Sequence, residues 1–262
     1  MPEADRGGAS SMPNASVGRD PERSEYTSGI VEDVYAAIRD GRPPLRTGLG
    51  HRVDDMVVES GTLTELTFQI LRRGWTIRYG DASRSGSYAD SAAREIIVDR
   101  DHEADPDRAF VALAHEVGHA NDPDLARALP YRQGETREEW VRRSVHNALR
   151  EEGEATLVEI QCVRELNQRG YNISHGIPVD RLEFYEEIFD SYNRGYFTRD
   201  EAKDEIAAMF RGEVISGVLR NYETHHLETY SRIWDIDHGH SISTVEPSRD
   251  PYLDQYIKFD HG

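Results

Sequence analysis

Apolar residues recur with two different periods along the first third of the chain, and these periods predict helices and strands. Spacings of three and four residues predict helices over residues 30–38 and 62–73. Alternation of apolar and polar residues predicts a strand over residues 75–79, and the apolar run 95–98 predicts a second strand. The segment 80–90 between them is rich in Ser, Gly and Asp, which is typical of a loop.

The helical period then continues through most of the chain. Asp105 followed by Pro106 is typical of a helix start, because the Asp side chain can cap the helix and Pro suits its first position. The period is imperfect near Gly153, so a break there is an open alternative. After Asp235 the chain is polar and is predicted to be irregular. The predicted helices cover residues 106–121, 136–168, 178–192, 198–211 and 214–234.

Composition separates a short N-terminal segment from the rest of the chain. Residues 1–28 are rich in Gly, Ser, Pro, Asp and Glu and contain almost no large apolar residues. Such a segment cannot bury a core, so it is predicted to be disordered. It is either a plain tail or a secretion signal that is not cleaved. Residues 29–262 are predicted to form a single domain.

The helix over residues 106–121 carries the sequence His115-Glu116-Val117-Gly118-His119. Residues four apart lie on the same face of a helix, so His115 and His119 direct their imidazoles at one point. Two such ligands are typical of a zinc site, and Glu116 beside them is suited to act as a general base. The alternative is a surface helix with two solvated histidines.

A catalytic zinc site needs a third protein ligand. Asp122 and Leu125 stand where a continued histidine motif would place Gly and His, so a later Glu is the expected ligand. The next long helix contains an acidic cluster, in which Glu154 is preferred, Glu152 is second and Glu151 is third. The small residues on either side of Glu154 would let the two helices approach closely. The alternative interpretation of this acidic cluster is that it forms a solvated helix face and binds no metal.

Charge and cysteine content restrict the partners and the compartment. The net charge is −18, which argues against binding of nucleic acid and favours a neutral or basic partner. No apolar run is long enough to span a membrane, and no N-terminal signal peptide is recognisable. The single cysteine, Cys162, excludes an internal disulfide and fits a reducing compartment. Any metal site must therefore use His and carboxylate ligands.

The two short strands, the His115–His119 helix and the Gly153-Glu154-Ala155 helix together resemble the gluzincin branch of the zincin metallopeptidases. The segment from about Trp75 to Trp234 is similar to the small zinc-peptidase domains of bacterial secreted effectors and polymorphic toxins. The resemblance implies an α+β fold, mostly helical, with a small β-sheet preceding the active-site helix. It also implies a zinc-dependent metalloendopeptidase that cleaves a specific target protein by attack of an activated water.

The same resemblance implies roles for individual residues. Zn²⁺ would be bound by His115, His119 and either Glu154 or Glu152, with Glu116 as the general base. The strand over residues 95–98 would pair with an extended substrate.

A donor to the oxyanion is expected from the last predicted helix, where Tyr222 and His226 are the leading candidates and His225 and Tyr230 are further ones. The alternative interpretation is that each of these four residues is simply half-buried in the helix and has no catalytic role. The usual partner of the first His, an Asp four residues after the ligand Glu, is replaced by Val158, so Glu159, Asp99 or a backbone carbonyl would orient it.

The expected setting also follows from the resemblance. The protein would be secreted or injected into a target cell without a signal peptide and would act in a reducing cytosol. Its partners would include a protein substrate and a secretion chaperone or cognate immunity protein. The 31 basic residues include only two lysines, Lys203 and Lys258. This scarcity reflects either a GC-rich genome or few ubiquitin attachment points in a foreign cell. Alternative functions are a cell-wall peptide hydrolase acting on rival bacteria and a metal-free pseudo-peptidase that binds a partner.

Overall fold

The computed structural model describes residues 45–81, 86–122, 129–177, 179–214 and 221–239. The segment 1–28, the helix predicted over residues 30–38 and most of the tail after Asp235 lie outside the described residues and remain predictions. The described residues form an α+β structure, mostly helical with one small sheet, which confirms the predicted class. No described helix combines the length and the apolar character needed to cross a bilayer.

Two short helices precede the sheet in the described part of the chain. Helix α1 (His51–Glu59) was not predicted, because its buried residues occupy only two turns. Helix α2 (Gly61–Arg72) confirms the predicted one and begins at Ser60, whose side chain accepts a hydrogen bond from the amide of Leu63. Glu165 also accepts hydrogen bonds from Ser60 and Thr62, so the start of α2 is attached to the long helix described below.

The sheet contains three strands in the order β1-β3-β2. Strands β1 (Thr76–Tyr79) and β3 (Glu95–Val98) were predicted, and they pair in parallel. Strand β2 (Tyr88–Asp90) lies inside the predicted loop and pairs antiparallel with β3, with Ala89 opposite Ile96. Three residues are too few for a readable alternation, so the sequence did not indicate β2. Strand β3 is therefore central, and β2 forms one edge.

Helix α3 (Pro106–Asn121) follows a short 3-10 helix, Arg100–His102. The Asp105 side chain caps α3 and Pro106 occupies its first turn, as predicted. Helix α4 (Arg137–Gln168) opens with a capping box between Thr136 and Glu139 and continues unbroken through Gly153. At about 1.5 Å per residue, its 32 residues span about 48 Å.

The last three helices pack around the N-terminal half of α4. Helices α5 (Val179–Asn193) and α6 (Arg199–Phe210) agree with the prediction to within about two residues at each end. Helix α7 (Tyr222–Asp237) begins later than predicted, because Val214 pairs with Asn221 before the helix starts. It also runs past the predicted end at residue 234.

Helix α4 contributes to two hydrophobic cores. The first core joins the C-terminal half of α4, through Val158, Cys162 and Leu166, with α1, α2, α3 and the sheet. The second joins its N-terminal half, through Trp140 and Leu149, with α5, α6 and α7. The middle of α4 therefore lies between two packed layers, where its side chains are held in fixed positions.

Helices α3 and α4 approach each other most closely at Gly118. A Cβ atom at this position would lie 2.7 Å from the Cα of Ala155 and 3.3 Å from the Cβ of Val158. Gly153, which was predicted to permit this approach, instead faces α6, where an added Cβ would lie 2.7 Å from the carbonyl oxygen of Lys203. The glycine inside the histidine motif therefore sets the spacing between the two helices.

We predict that Gly118→Ala destabilises the protein by about 1–3 kcal/mol, because the added methyl group forces a backbone shift in a packed interface. The measurement is the free energy of unfolding from urea denaturation. Gly61→Ala is the matched control, since nothing lies within 4 Å of a Cβ at that position in α2. Equal stability of Gly118→Ala and Gly61→Ala would show that the helices do not need this glycine.

Candidate metal centre

His115 and His119 lie on one face of α3, turned toward α4. The centroids of their rings are 4.9 Å apart and the rings are nearly perpendicular. His119 is buried, whereas 21% of the His115 side chain is exposed. The pair is thus accessible mainly on the His115 side.

Glu152 of α4 completes a group of three potential ligands with the two histidines. Its Oε2 atom lies 3.3 Å from Nε2 of His115 and 3.6 Å from Nε2 of His119. One ligand atom from each of the three residues lies within 4.8 Å of the others, and this is the one such group found among the described residues.

Glu154, the preferred third ligand in the sequence analysis, is not part of this group. Its carboxylate accepts hydrogen bonds from Arg199, with Nη2–Oε1 and Nε–Oε2 distances of 2.5 and 3.0 Å, and lies 3.6 Å from Nζ of Lys203. Residues two positions apart do not share a helix face, so Glu152 and Glu154 cannot both face α3. Glu154 therefore stabilises the contact between α4 and α6. Glu152 takes its place as the third candidate ligand.

Glu151, the third alternative, is buried on a different side of α4. Its Oε1 atom accepts a hydrogen bond of 2.8 Å from the side-chain amide of Asn147, one turn earlier. Neither Glu151 nor Glu154 belongs to the group of three, so the acidic cluster contributes one carboxylate to the site.

The two distances from Glu152 to the imidazoles match those between ligands of a tetrahedral zinc ion. Donors about 2.1 Å from a tetrahedral zinc lie about 3.4 Å from one another. The 3.3 and 3.6 Å distances from Glu152 to the two imidazole nitrogens are close to this value. Two imidazoles and one carboxylate are also a common ligand set for catalytic zinc, with the fourth position open.

A second carboxylate orients His115 from the opposite side of its ring. Oε2 of Glu159 lies 3.3 Å from Nδ1 of His115, so Nδ1 faces Glu159 while Nε2 faces Glu152. Glu159 lies two turns beyond Glu152 on α4. Glu159, one of the three predicted alternatives, therefore occupies the orienting position.

Asp99, the second of those alternatives, is engaged elsewhere. Its two carboxylate oxygens accept hydrogen bonds from the amides of Gly86 and Asp101, at 2.6 and 3.0 Å. Burial would raise the pKa of Asp99, but these hydrogen bonds outweigh it and lower the pKa. Asp99 thus holds the loop that leads into β2 and does not orient His115.

Burial and mutual contacts shift the ionisation of the site. Burial would lower the pKa of His115, but hydrogen bonds with Glu152 and Glu159 raise it well above its ordinary value. Burial would raise the pKa of Glu152, but the charge of His119 and the contact with His115 lower it strongly. For Glu116 burial prevails and raises the pKa. Glu116 therefore binds a proton more readily than an ordinary glutamate, as a general base requires.

Edge strand β2 lies beside Glu116. The backbone of Ala89 lies close enough to the Glu116 carboxylate to favour its charged form and so act to lower its pKa, and β2 packs on α3. In an antiparallel pair, alternate residues direct their amides away from the partner strand, which leaves the Ala89 amide free for this contact. Ala89 was not predicted as a site residue, and pairing of the substrate was predicted on β3. That prediction is wrong, because β3 is the central strand and already pairs with β1 on one side and β2 on the other.

Tyr222 stands at the start of α7, near the carboxylates of the site. The negative charge of Glu152 and burial raise its pKa, with Glu116 also contributing, so its hydroxyl group keeps its proton near neutral pH. The Tyr222 ring packs against Phe210 with centroids 5.1 Å apart. Tyr222, one of the four oxyanion candidates from α7, thus lies within electrostatic reach of both Glu152 and Glu116.

His226, the other leading candidate, is buried one turn further along α7. Its ring centroid lies 6.2 Å from that of Tyr222 and 6.3 Å from that of Tyr230. Tyr230 packs against Trp140 in the second hydrophobic core, as a core residue would. His225 is half-buried beside His226, with ring centroids 5.4 Å apart.

Comparison with known proteins identifies no relative. No protein-family model, no curated protein and no solved structure matches this chain. The arrangement of residues around His115 and His119 is therefore the basis for the function proposed below.

We predict that Glu152→Ala weakens zinc binding by more than about 100-fold, beyond the loss expected for an outer-shell partner. Glu154→Ala is the matched comparison on the same helix and should bind zinc within about threefold of the unaltered protein, because Glu154 faces α6. The dissociation constants are measured by competition with a chromophoric chelator. A larger loss in Glu154→Ala than in Glu152→Ala would restore Glu154 as the ligand.

Proposed function

We propose that this protein is a zinc-dependent metalloendopeptidase of the zincin type. The observation that carries the proposal is the group His115, His119 and Glu152, whose possible ligand atoms lie within 4.8 Å of one another, with Glu152 3.3 and 3.6 Å from the two imidazole nitrogens. A bound zinc ion supplies Lewis-acid activation of the attacking water and of the scissile carbonyl group. The roles of the surrounding residues follow from their positions.

Glu116 is the general base in this proposal. One of its carboxylate oxygens takes a proton from the attacking water, whose hydroxyl group adds to the carbonyl carbon. Glu116 then passes that proton to the nitrogen of the leaving amine as the peptide bond breaks. Its raised pKa supports both transfers, because a base that binds its proton too weakly would not remove one from water.

Strand β2 is the proposed binding site for the substrate backbone. It is an edge of the sheet formed by the described residues and lies directly against α3, with the Ala89 backbone close to Glu116. An extended peptide can add to such an edge through main-chain hydrogen bonds. This pairing would hold the scissile bond next to Glu116.

Tyr222 is the proposed donor to the oxyanion that forms at the substrate carbonyl. A phenol that keeps its proton can donate a hydrogen bond, and the nearby carboxylates ensure that it does. His226 supports the Tyr222 ring from the adjacent turn of α7.

We also propose that the substrate is a protein in the reducing cytosol of a target cell. The support comes from the sequence, which contains a single cysteine and only two lysines. The N-terminal segment 1–28 is the proposed secretion signal. A secretion chaperone or an immunity protein would be the second kind of partner.

We predict that Glu116→Gln keeps bound zinc but lowers peptide cleavage by about 10²–10⁴-fold, because the amide cannot accept the proton. The measurements are zinc content by elemental analysis and cleavage of proteins in a lysate by mass spectrometry. Glu187→Gln on the exposed face of α5 is the control and should keep full activity. Undiminished cleavage by Glu116→Gln would remove it as the base.

The unaltered protein distinguishes the alternatives in the same assays. Purified protein without zinc, and unable to take it up, would indicate a pseudo-peptidase. Zinc-loaded protein that cleaves purified peptidoglycan but no protein would indicate a cell-wall hydrolase.

We predict that Tyr222→Phe lowers kcat by about 10²–10³-fold with little change in KM, because the lost donor acts on the transition state. The variant keeps the ring that packs against Phe210, so the fold is preserved. The constants are measured on the best peptide from the cleavage screen. A rise in KM at constant kcat would instead assign Tyr222 to substrate binding.

A further inference from the structure

Glu159, which orients His115, is itself held by the segment that connects α4 to α5. The amide of Gly176 donates a 2.9 Å hydrogen bond to Oε1 of Glu159. Nδ1 of His175 lies 3.8 Å from the same oxygen. The other oxygen, Oε2, faces Nδ1 of His115. Glu159 is thus bounded by a candidate metal ligand on one side and by the connecting segment on the other.

The His175 ring is buried, with 7% of its side chain exposed. Its Nδ1 atom is fully buried and has no hydrogen-bond partner within normal distance among the described residues. Buried ring nitrogens are paired in stable structures, and the carboxylate oxygen that the structure places beside this atom is Oε1 of Glu159. Burial lowers the pKa of His175, so the ring is neutral near neutral pH and carries one N–H.

The outer side of the His175 ring faces α5. Its Nε2 atom lies 3.7 Å from Oε1 of Glu186, and the same oxygen lies 3.5 Å from Nη2 of Arg164. The ring therefore stands between two carboxylates, one on α4 and one on α5. This position fixes the plane of the ring and directs Nδ1 inward.

Gly176 has little room on its inner side. A Cβ atom there would lie 3.2 Å from Cγ1 of Val111 and 3.5 Å from Oε1 of Glu159. The connecting segment is therefore pressed between α3 and the Glu159 carboxylate. Its backbone amide can reach Glu159 because no side chain intervenes.

We propose that His175 is a positioning residue of the metal centre. In this proposal Nδ1–H of His175, which lies 3.8 Å from Oε1 in the structure, acts together with the hydrogen-bonded Gly176 amide to fix the Glu159 carboxylate, so that Oε2 holds the His115 imidazole in the orientation that binds metal. The inference rests on the proposed function in one respect, namely that His115 is a zinc ligand. It concerns metal affinity and geometry, and His175 has no contact with the substrate or the reacting atoms.

The test compares His175→Leu with His175→Asn in the full-length protein. The two side chains have nearly the same shape, but only Asn keeps an N–H close to the place of Nδ1. We expect His175→Leu to weaken zinc binding by about 10-fold and to change the visible absorption spectrum of the cobalt(II)-loaded protein. We expect His175→Asn to restore both. His146→Leu is the control, because His146 pairs with Asp204 on the surface.

Four outcomes decide the matter. Weaker zinc binding and an altered cobalt spectrum in His175→Leu, at an unchanged melting temperature of the metal-free protein, support the inference. Zinc affinity and a spectrum equal to those of His146→Leu overturn it. The proposed function fails separately: if the His175 variants behave as expected but the zinc-loaded protein cleaves no peptide, the positioning role stands and the peptidase does not. An unaltered protein that binds no zinc overturns both.

Discussion

The contact of Gly118 with Ala155 determines whether the candidate metal centre exists. His115 and His119 belong to α3 and Glu152 to α4, so their separation depends on how closely the two helix backbones approach. A side chain at position 118 would push the axes apart. The distance from Glu152 to the imidazoles would then exceed what a single ion can bridge. The two hydrophobic cores on either side of α4 keep the helices in this position.

The sequence predicted most of the fold because the relevant signals are local. The caps at Asp105 and Thr136 and the long helical period of α4 determine their elements with little help from tertiary contacts. Strand β2 was missed because three residues carry too little periodicity, and helix α1 was missed although its buried residues Val53, Met56 and Val57 have helical spacing. Their formation depends on packing against elements that lie elsewhere in the chain.

The choice between Glu152 and Glu154 could not be made from the sequence. Both are glutamates on the same helix, and the family resemblance favoured the one followed by Ala155. The deciding factor is the rotation of α4 about its axis, which depends on contacts with both α3 and α6. Arg199 and Lys203 give Glu154 its partners on the α6 side, and their positions are visible only in three dimensions. The pairing of Glu159 with His115 was predicted as one of three alternatives. Choosing among them also required knowing how α4 is rotated about its axis.

The shortness of β2 has a consequence for selectivity. At about 3.3 Å per residue, three residues offer an edge of about 10 Å. An added peptide gains only a few main-chain hydrogen bonds from so short an edge. These bonds do not distinguish one peptide side chain from another. Discrimination among sequences must then come from surfaces that lie beyond the strand. A brief edge also gives neighbouring molecules little to pair with, which limits self-association through open sheets.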